Sequence, residues 1–180
     1  MIGSTKEVCD KTERFSNKGN ADDFITTIKS LNFDHTYGGK LPIQNATEDE
    51  ISDILKMNRT VAVIGMSKNP EKDAYAIPEY LLKNGYKVIP VNPTADEILG
   101  QKSYRKLSDV PGPVDIVDVF RPSADIPNYV ADVIEKKPKV FWEQLGIHNS
   151  EAEEKIAAAG IKVVFDRCMM REHKKKQTRH

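Results

Sequence analysis

The feature that most constrains this fold is a regular alternation of strand-like and helical patterns after Thr60. Five short apolar runs have the pattern of buried strands: TVAVIG, KVIPVNP, DIVDVF, KVFW and IKVVF. Helical patterns separate most of them, including AIPEYLLKNG and EAEEKIAAAG. Parallel strands need long crossover connections and are apolar on both faces. The chain is therefore predicted to be an α/β protein with a doubly wound, five-stranded parallel sheet, in strand order 3-2-1-4-5.

The first 59 residues differ from the rest because they are polar and poor in strand-like runs. The segment FITTIKSL, at 24–31, has its apolar residues on one helical face. Thr47 and Glu50 have the spacing of a capping box, which predicts a short helix before the first strand. We therefore expect three parts: a helical or irregular extension at 1–59, a domain at 60–173 and a basic tail at 174–180.

Composition argues against several classes of protein. Lysine plus arginine and aspartate plus glutamate both number 27, so the whole chain has no charge excess to attract nucleic acid or an anionic membrane. No apolar run approaches the roughly 20 residues that a membrane helix requires, and no signal peptide is visible. Two cysteines, Cys9 and Cys168, cannot make the disulfide framework of a small secreted domain. We expect a cytoplasmic protein without nucleic-acid or membrane partners.

The loop GMSKNPEKD, after the first strand, is the strongest candidate for ligand binding. Doubly wound sheets bind ligands beyond the carboxyl ends of their strands, and the free N–H groups of the helix that follows suit a phosphate. Gly65 lets the backbone come close, and Met66 beside it is also a candidate for contact with the ligand. Ser67 can donate from its hydroxyl, and Lys68 and Lys72 can neutralise charge. An ordinary turn with solvated lysines is the alternative.

The end of the second strand argues against a conventional NAD dehydrogenase. A dinucleotide fingerprint needs G-x-G-x-x-G and an acidic residue that holds the ribose hydroxyls. Here no glycine follows Gly65 at that spacing, and the second strand ends in Asn92 and Pro93. Pro93 offers a rigid apolar wall, and Asn92 offers an amide to a hydroxyl or a base edge.

Five blocks of the sequence resemble one family. They are VAVIGMSKNPEKDAY, YLLKNGYKVIPVNP, ILGQKSYRKLSDVPGPVDIVDVFR, FWEQLGI and DRCMMREH, in this order. Together they are similar to the stand-alone coenzyme A-binding protein family, itself similar to the CoA-binding domain of the succinyl-CoA synthetase alpha subunit. The resemblance covers about 60–173. It implies a Rossmann-like fold that binds coenzyme A (CoA), with no established enzymatic activity for the isolated domain.

The resemblance also implies which residues approach each part of the coenzyme. Gly65, Ser67 and Lys72 would lie near the diphosphate and 3′-phosphate, and Asn92 with Pro93 beside the adenosine. Nearer the nucleotide or the pantetheine arm, the resemblance places residues that follow later strands: Phe120, Arg121, Gln144, Gly146 and Cys168.

Cys168 raises a separate hypothesis because coenzyme A carries a thiol. Met169, beside Cys168, is a further candidate for contact with the coenzyme. Cys168 follows the fifth strand at the start of a predicted short helix, and has Arg167 and Arg171 nearby. These features lower the pKa of a thiol and favour a mixed disulfide with CoA. A buried, inert cysteine is the alternative.

No catalytic or metal-binding constellation is apparent in the sequence. His35, His148 and His173 have no cysteine or carboxylate partner at metal-ligand spacing. The sequence therefore predicts a non-catalytic module for CoA or a short acyl-CoA, with a homo-oligomer or an unidentified protein partner left open. Two alternatives are an enzyme or sensor that uses NAD(P) or another nucleotide, and a protein-interaction scaffold with an empty crevice.

Overall fold

The computed structural model describes residues 43–178. The predicted helix at 24–31, His35 and Cys9 lie outside these residues. The strands follow one another along the chain: β1 (Thr60–Ile64), β2 (Lys87–Val91), β3 (Glu97–Ile98), β4 (Gln101–Lys102), β5 (Ile116–Val119), β6 (Val140–Glu143) and β7 (Lys162–Val164). Five of them form a parallel sheet in the order β2-β1-β5-β6-β7, and β3 pairs with β4 in a small antiparallel hairpin.

Helices connect these strands and cover the sheet. They are α1 (Glu48–Met57), α2 (Asp73–Lys83), α3 (Val130–Lys136), α4 (Ser150–Ala158) and α5 (Met169–Thr178), with 3-10 turns at Leu107–Asp109 and Ser123–Tyr129. Within residues 43–178, no helix has both the length and the apolar character needed to cross a membrane.

The structure confirms the predicted α/β, Rossmann-like sheet, and it corrects the place of one strand. The segment at Asp115–Phe120 was expected as the third strand, beyond β2, but β5 pairs with β1 instead. The edge position beside β2 belongs to Tyr104, which forms a parallel bridge with Val91. If Tyr104 is counted as the third strand along the chain, the order across the sheet is 3-2-1-4-5-6, which contains the predicted order 3-2-1-4-5. A bridge of one residue has no strand periodicity, so the sequence pattern did not reveal it.

Alternate residues of the strands build two apolar layers, one on each face of the sheet. Val61 and Val63 pack in one layer with residues of three helices: Ile51, Leu55, Ile77, Leu81 and Met169. Ala62 and Ile64 pack in the other, with Ile126, Val133 and Ile156. Side chains of a strand alternate between its faces, which explains this division. The sheet is doubly wound, so its carboxyl edge is where connecting loops meet.

Helix α1 packs on the sheet, although the sequence placed it in the extension. Its capping box is confirmed: Thr47 Oγ1 accepts the Glu50 N–H at 3.2 Å, and Glu50 Oε2 accepts the Thr47 N–H at 2.8 Å. Ile51 and Leu55 are buried in the layer that contains Val61. Capping signals locate a helix but do not say what it packs against. The boundary at residue 59 stays a prediction.

Candidate functional site

The loops after β1 and β5 touch at the carboxyl edge of the sheet. Gly65 has a φ of +80°, and a β-carbon on it would lie 2.7 Å from the Phe120 carbonyl oxygen and 2.8 Å from Arg121 Cδ. The Gly65 N–H also donates to the Val91 carbonyl at 3.0 Å. The chain adds β2 on one side of β1 and then β5 on the other side, so this contact marks the switch point where doubly wound sheets bind ligands.

A cleft of about 410 Å³ opens on the β2 side of Gly65. Its volume is within the usual range for small-molecule sites. Its lining combines apolar walls with two arginines, a lysine and an aspartate, and includes Ile64, Pro93, Thr94, Arg105, Lys106, Arg121, Tyr129 and Asp132. Arg105 was not predicted as a site residue. Only its position in a matched sequence block pointed to it, because it follows no main strand of the sheet.

Asn92 holds the cleft wall together. Its Nδ2 donates to the Met66 carbonyl at 2.8 Å, and its Oδ1 accepts the Thr94 N–H at 2.8 Å. Both ends of the amide are thus used within the protein, whereas the sequence predicted that the amide faces a ligand. Pro93 is exposed on the rim, and its carbonyl accepts a hydrogen bond from Arg105 Nη1 at 3.1 Å.

The loop between β1 and α2 keeps several polar groups at the surface. The Ser67 N–H donates to the Ala74 carbonyl at 3.0 Å, and Ser67 Oγ accepts the Asn69 N–H at 3.0 Å. Lys68 and Lys72 are exposed. Lys72 is the N-cap residue of α2, and its side chain makes no capping hydrogen bond. The first N–H groups of α2 therefore receive no cap from the N-cap side chain.

Met66 takes a different place from its neighbours. Its side chain is fully buried in the apolar layer that contains Val63, and only its carbonyl takes part in the loop contacts, through Asn92. Its role is to anchor the loop to the core.

Arg121 combines a position on the cleft with an ion pair. It lines the cleft, and its Nη2 lies 2.8 Å from Asp125 Oδ2 in an ion pair. The side chain is 43% exposed. An exposed ion pair of this kind contributes little to stability, so the guanidinium can be redirected to an anion at low cost.

A second cavity, of about 130 Å³, lies on the far side of Phe120. Residues from four connections line it, including Asp73, Ile77, Phe120, Gln144, Leu145 and Cys168. Phe120 lines this cavity while its neighbour Arg121 lines the larger cleft, so the two spaces flank the Gly65 contact. Gly146, in the loop beside the cavity, has a φ of +80° and donates its N–H to Asp166 Oδ1 at 2.7 Å.

A buried polar network supports the second cavity. Gln144 is 3% exposed, and its Nε2 donates to both carboxylate oxygens of Asp118, at 2.9 and 3.0 Å. Its Oε1 accepts the Met169 N–H at 3.3 Å. Burial raises the pKa of Asp118 to about 7, against the hydrogen bonds from Gln144 and the Val119 backbone. Gln144 therefore ties β5 to the start of α5.

Cys168 lies directly before α5 and lines the second cavity. Cys168 is 7% exposed, and its backbone carbonyl accepts a hydrogen bond from the Glu172 N–H at 3.0 Å. Met169 was predicted to contact the coenzyme, but its side chain is fully buried and packs in the core. Of this pair, Cys168 is the one that borders a cavity.

The structure also assembles a cluster that sequence analysis missed. Glu143, His148 and Glu153 each offer one ligand atom, and these atoms lie within 4.8 Å of one another. His148 had been assigned no carboxylate partner. In the sequence, Glu143 and Glu153 each lie five residues from His148. This spacing matches neither a helical nor a strand repeat, so the sequence pattern did not reveal the cluster.

Known proteins share the sequence pattern and the fold of this chain. Residues 59–174 match the family model described as CoA binding domain. The YneT protein of Bacillus subtilis (strain 168) is 37% identical over 131 residues, which cover 73% of this chain and 97% of YneT.

Two further similarities extend this result. A solved structure described as a hypothetical protein from Pyrococcus horikoshii OT3 is 39% identical, with a TM-score of 0.72, and the match covers 78% of this chain and 99% of that one. An ADP-forming acetate–CoA ligase of Methanocaldococcus jannaschii is 35% identical over 121 residues. That match covers 62% of this chain but 17% of the ligase. The similarity therefore concerns one region of a much longer enzyme.

Proposed function

This chain belongs to the family of CoA binding domains, and from that premise we propose that it binds coenzyme A, or a short acyl-CoA, without catalysing a reaction. The observation that carries the proposal is the pair of cavities on either side of the Gly65 contact. A coenzyme with a nucleotide at one end and an extended arm at the other suits two adjoining spaces at a switch point.

The larger cleft would hold the nucleotide end. Pro93 and Tyr129 supply apolar surface there, and Arg105 and Arg121 supply positive charge. Arginine guanidinium groups pair with phosphate oxygens in bidentate geometry. These arginines would favour CoA over NAD, because the ribose of CoA carries a 3′-phosphate and the ribose of NAD does not.

The diphosphate would lie against the loop that joins β1 to α2. The N-terminal amides of α2 carry no side-chain cap from Lys72, and the helix dipole favours an anion there. The same loop contains Ser67, Lys68 and Lys72. Gly65 supports the proposal because a larger residue could not come as close to Phe120.

The pantetheine arm would run past Phe120 toward Cys168 and the loop with Gln144 and Gly146. Gln144 would position that wall, since its amide is already bonded to Asp118. Cys168 would then meet the coenzyme thiol. In exchange with CoA disulfide, the Cys168 sulfur would attack one sulfur of the disulfide and release CoA as its thiolate, so no further oxidant is needed.

The ligase similarity supports binding and not catalysis. The match covers 17% of a protein named as an acetate–CoA ligase. We infer that this chain shares the part that holds the coenzyme, and that the chemistry of the ligase depends on the remaining length.

Isothermal titration calorimetry with matched ligands tests the proposal. CoA, acetyl-CoA, dephospho-CoA, NAD, NADP and ATP would be titrated into the full chain. We expect CoA and acetyl-CoA to bind most tightly, and dephospho-CoA more weakly because it lacks the 3′-phosphate. Tighter binding of NAD or ATP than of CoA would favour a different nucleotide ligand, and absence of binding by all six would favour a scaffold.

A further inference from the structure

Glu143 is a buried carboxyl group whose oxygens accept no well-formed hydrogen bond from the described residues. It ends β6, has no exposed surface, and neither of its oxygens has a hydrogen bond of normal geometry within residues 43–178, although the Glu153 carboxyl group and the Asn149 N–H are its neighbours. A buried carboxylate is costly unless it is paired or binds a cation. Most buried polar groups in proteins are satisfied, so this exception needs a physical explanation.

Two further ligands face Glu143. Glu153 is 1% exposed, and its Oε1 lies 2.6 Å from His148 Nδ1 and accepts the Asn149 N–H at 2.7 Å. The Asn149 side chain caps α4 through the Ala152 N–H at 3.0 Å, which fixes Glu153 in the first turn of that helix. One ligand atom from each of Glu143, His148 and Glu153 falls within a span of 4.8 Å.

The imidazole of His148 is also held in position. Its ring packs against Phe165 with centroids 4.8 Å apart, and its backbone N–H donates to Ser123 Oγ at 3.1 Å. The side chain is 53% exposed, so the cluster is open to solvent on the histidine side. An ion can therefore reach two buried carboxyl groups through one accessible ligand.

Two carboxyl groups that are buried side by side repel each other when both are ionised. Burial, followed by the neighbouring Glu153, raises the pKa of Glu143 to about 9. Two carboxylates and a neutral imidazole balance the charge of a divalent cation.

We propose that Glu143, His148 and Glu153 form a binding site for a divalent transition-metal cation, with Zn²⁺ as the type. One nitrogen and two carboxylate ligands suit Zn²⁺, whereas Mg²⁺ and Ca²⁺ prefer oxygen ligands alone. Glu143 and His148 bracket the loop that carries Gln144 and Gly146, so the ion would fasten both ends of this loop to α4.

Zn²⁺ competition against a chromophoric chelator tests the site, with the full chain stripped of metal and no CoA present. We expect the wild type to bind Zn²⁺, and Glu143→Gln to weaken that binding by about tenfold or more, because it removes a charged ligand at nearly constant volume. Glu151→Gln is the matched control. Glu151 lies in the same helix as Glu153, and its side chain is 76% exposed and pairs with Lys155. Its substitution should leave Zn²⁺ affinity unchanged.

A second variant keeps the proposal testable if Glu143→Gln unfolds. His148→Ala alters a half-exposed side chain and should weaken Zn²⁺ binding to a similar degree. Zn²⁺ should also raise the melting temperature of the wild type and of Cys168→Ser, while Mg²⁺ should not. Absence of Zn²⁺ binding, or an affinity that His148→Ala leaves unchanged, would overturn the proposal. The result does not depend on whether CoA binds.

Discussion

The carbonyl oxygen of Phe120 lies 2.7 Å from the point that a β-carbon on Gly65 would occupy. A real β-carbon cannot approach a backbone oxygen so closely, and Gly65 also has a φ of +80°, which disfavours other residues. The loops after β1 and β5 can therefore meet only if this residue is glycine. The contact lies between the two cavities, since Phe120 lines one and Arg121 lines the other.

Gly65→Ala is expected to destabilise the protein by about 2 to 4 kcal/mol, since it adds a steric clash to the strain of a positive φ. Gly160→Ala is the matched control. Gly160 has a φ of +83°, but nothing lies within 4 Å of its added β-carbon, so only about 1 kcal/mol should be lost. Urea unfolding of both variants measures the difference. Equal losses would mean that the loop after β5 moves away without cost.

Lys72→Ala is expected to weaken CoA binding about five- to tenfold, as loss of one charge at a phosphate site does. Lys72 and Lys83 stand at opposite ends of α2, and Lys83 pairs with Glu79 on the surface. Lys83→Ala should therefore leave CoA affinity unchanged. Calorimetry at two salt concentrations checks both variants. The Lys72 effect should shrink at higher salt, and equal effects of the two variants would place the phosphates elsewhere.

Cys168 is expected to form a mixed disulfide when the protein is incubated with CoA disulfide. It borders the cavity beside Phe120, whereas Cys9 lies outside the described residues. Intact mass spectrometry should show one CoA adduct on the wild type and on Cys9→Ser, but none on Cys168→Ser. An adduct that persists in Cys168→Ser, or none on the wild type, would show that this thiol does not meet the coenzyme.

The sequence predicted the sheet and the loops at its carboxyl edge, because both depend on local patterns. Buried parallel strands have apolar runs, and β1 shows this in four consecutive buried residues. Tyr104 was missed because its bridge to Val91 depends on the course of the chain around β3 and β4. A single paired residue has no pattern of its own.

The roles of individual site residues were harder to predict because each depends on a partner distant in sequence. Asn92 was expected to offer its amide to a ligand, but Met66 and Thr94 use it. Gln144 is likewise bonded to Asp118. Glu143 and His148 meet because β6 ends and the chain folds back before α4, which no motif spacing describes.

Asp118→Asn is expected to stabilise the protein at pH 8 and to have little effect at pH 4. Burial raises the pKa of Asp118 to about 7, so the folded state disfavours its ionised form. The native protein thus loses stability as the pH rises from about 4 to 7, by up to about 4 kcal/mol, and the loss is complete above pH 7. The variant removes this dependence while one hydrogen bond from Gln144 can remain.

Asp115→Asn is the control with the opposite sign. Although burial alone would raise the pKa of Asp115, hydrogen bonds from Lys139 and from the Thr60 and Arg59 amides lower it. Its stabilising effect is present above about pH 4 and is lost as the pH falls through the lowered pKa. Asp115→Asn should therefore destabilise the protein at pH 8, where Asp118→Asn stabilises it. Urea unfolding at pH 4, 6 and 8 measures both, and a parallel response of the two variants would mean that Asp118 is ionised at no cost.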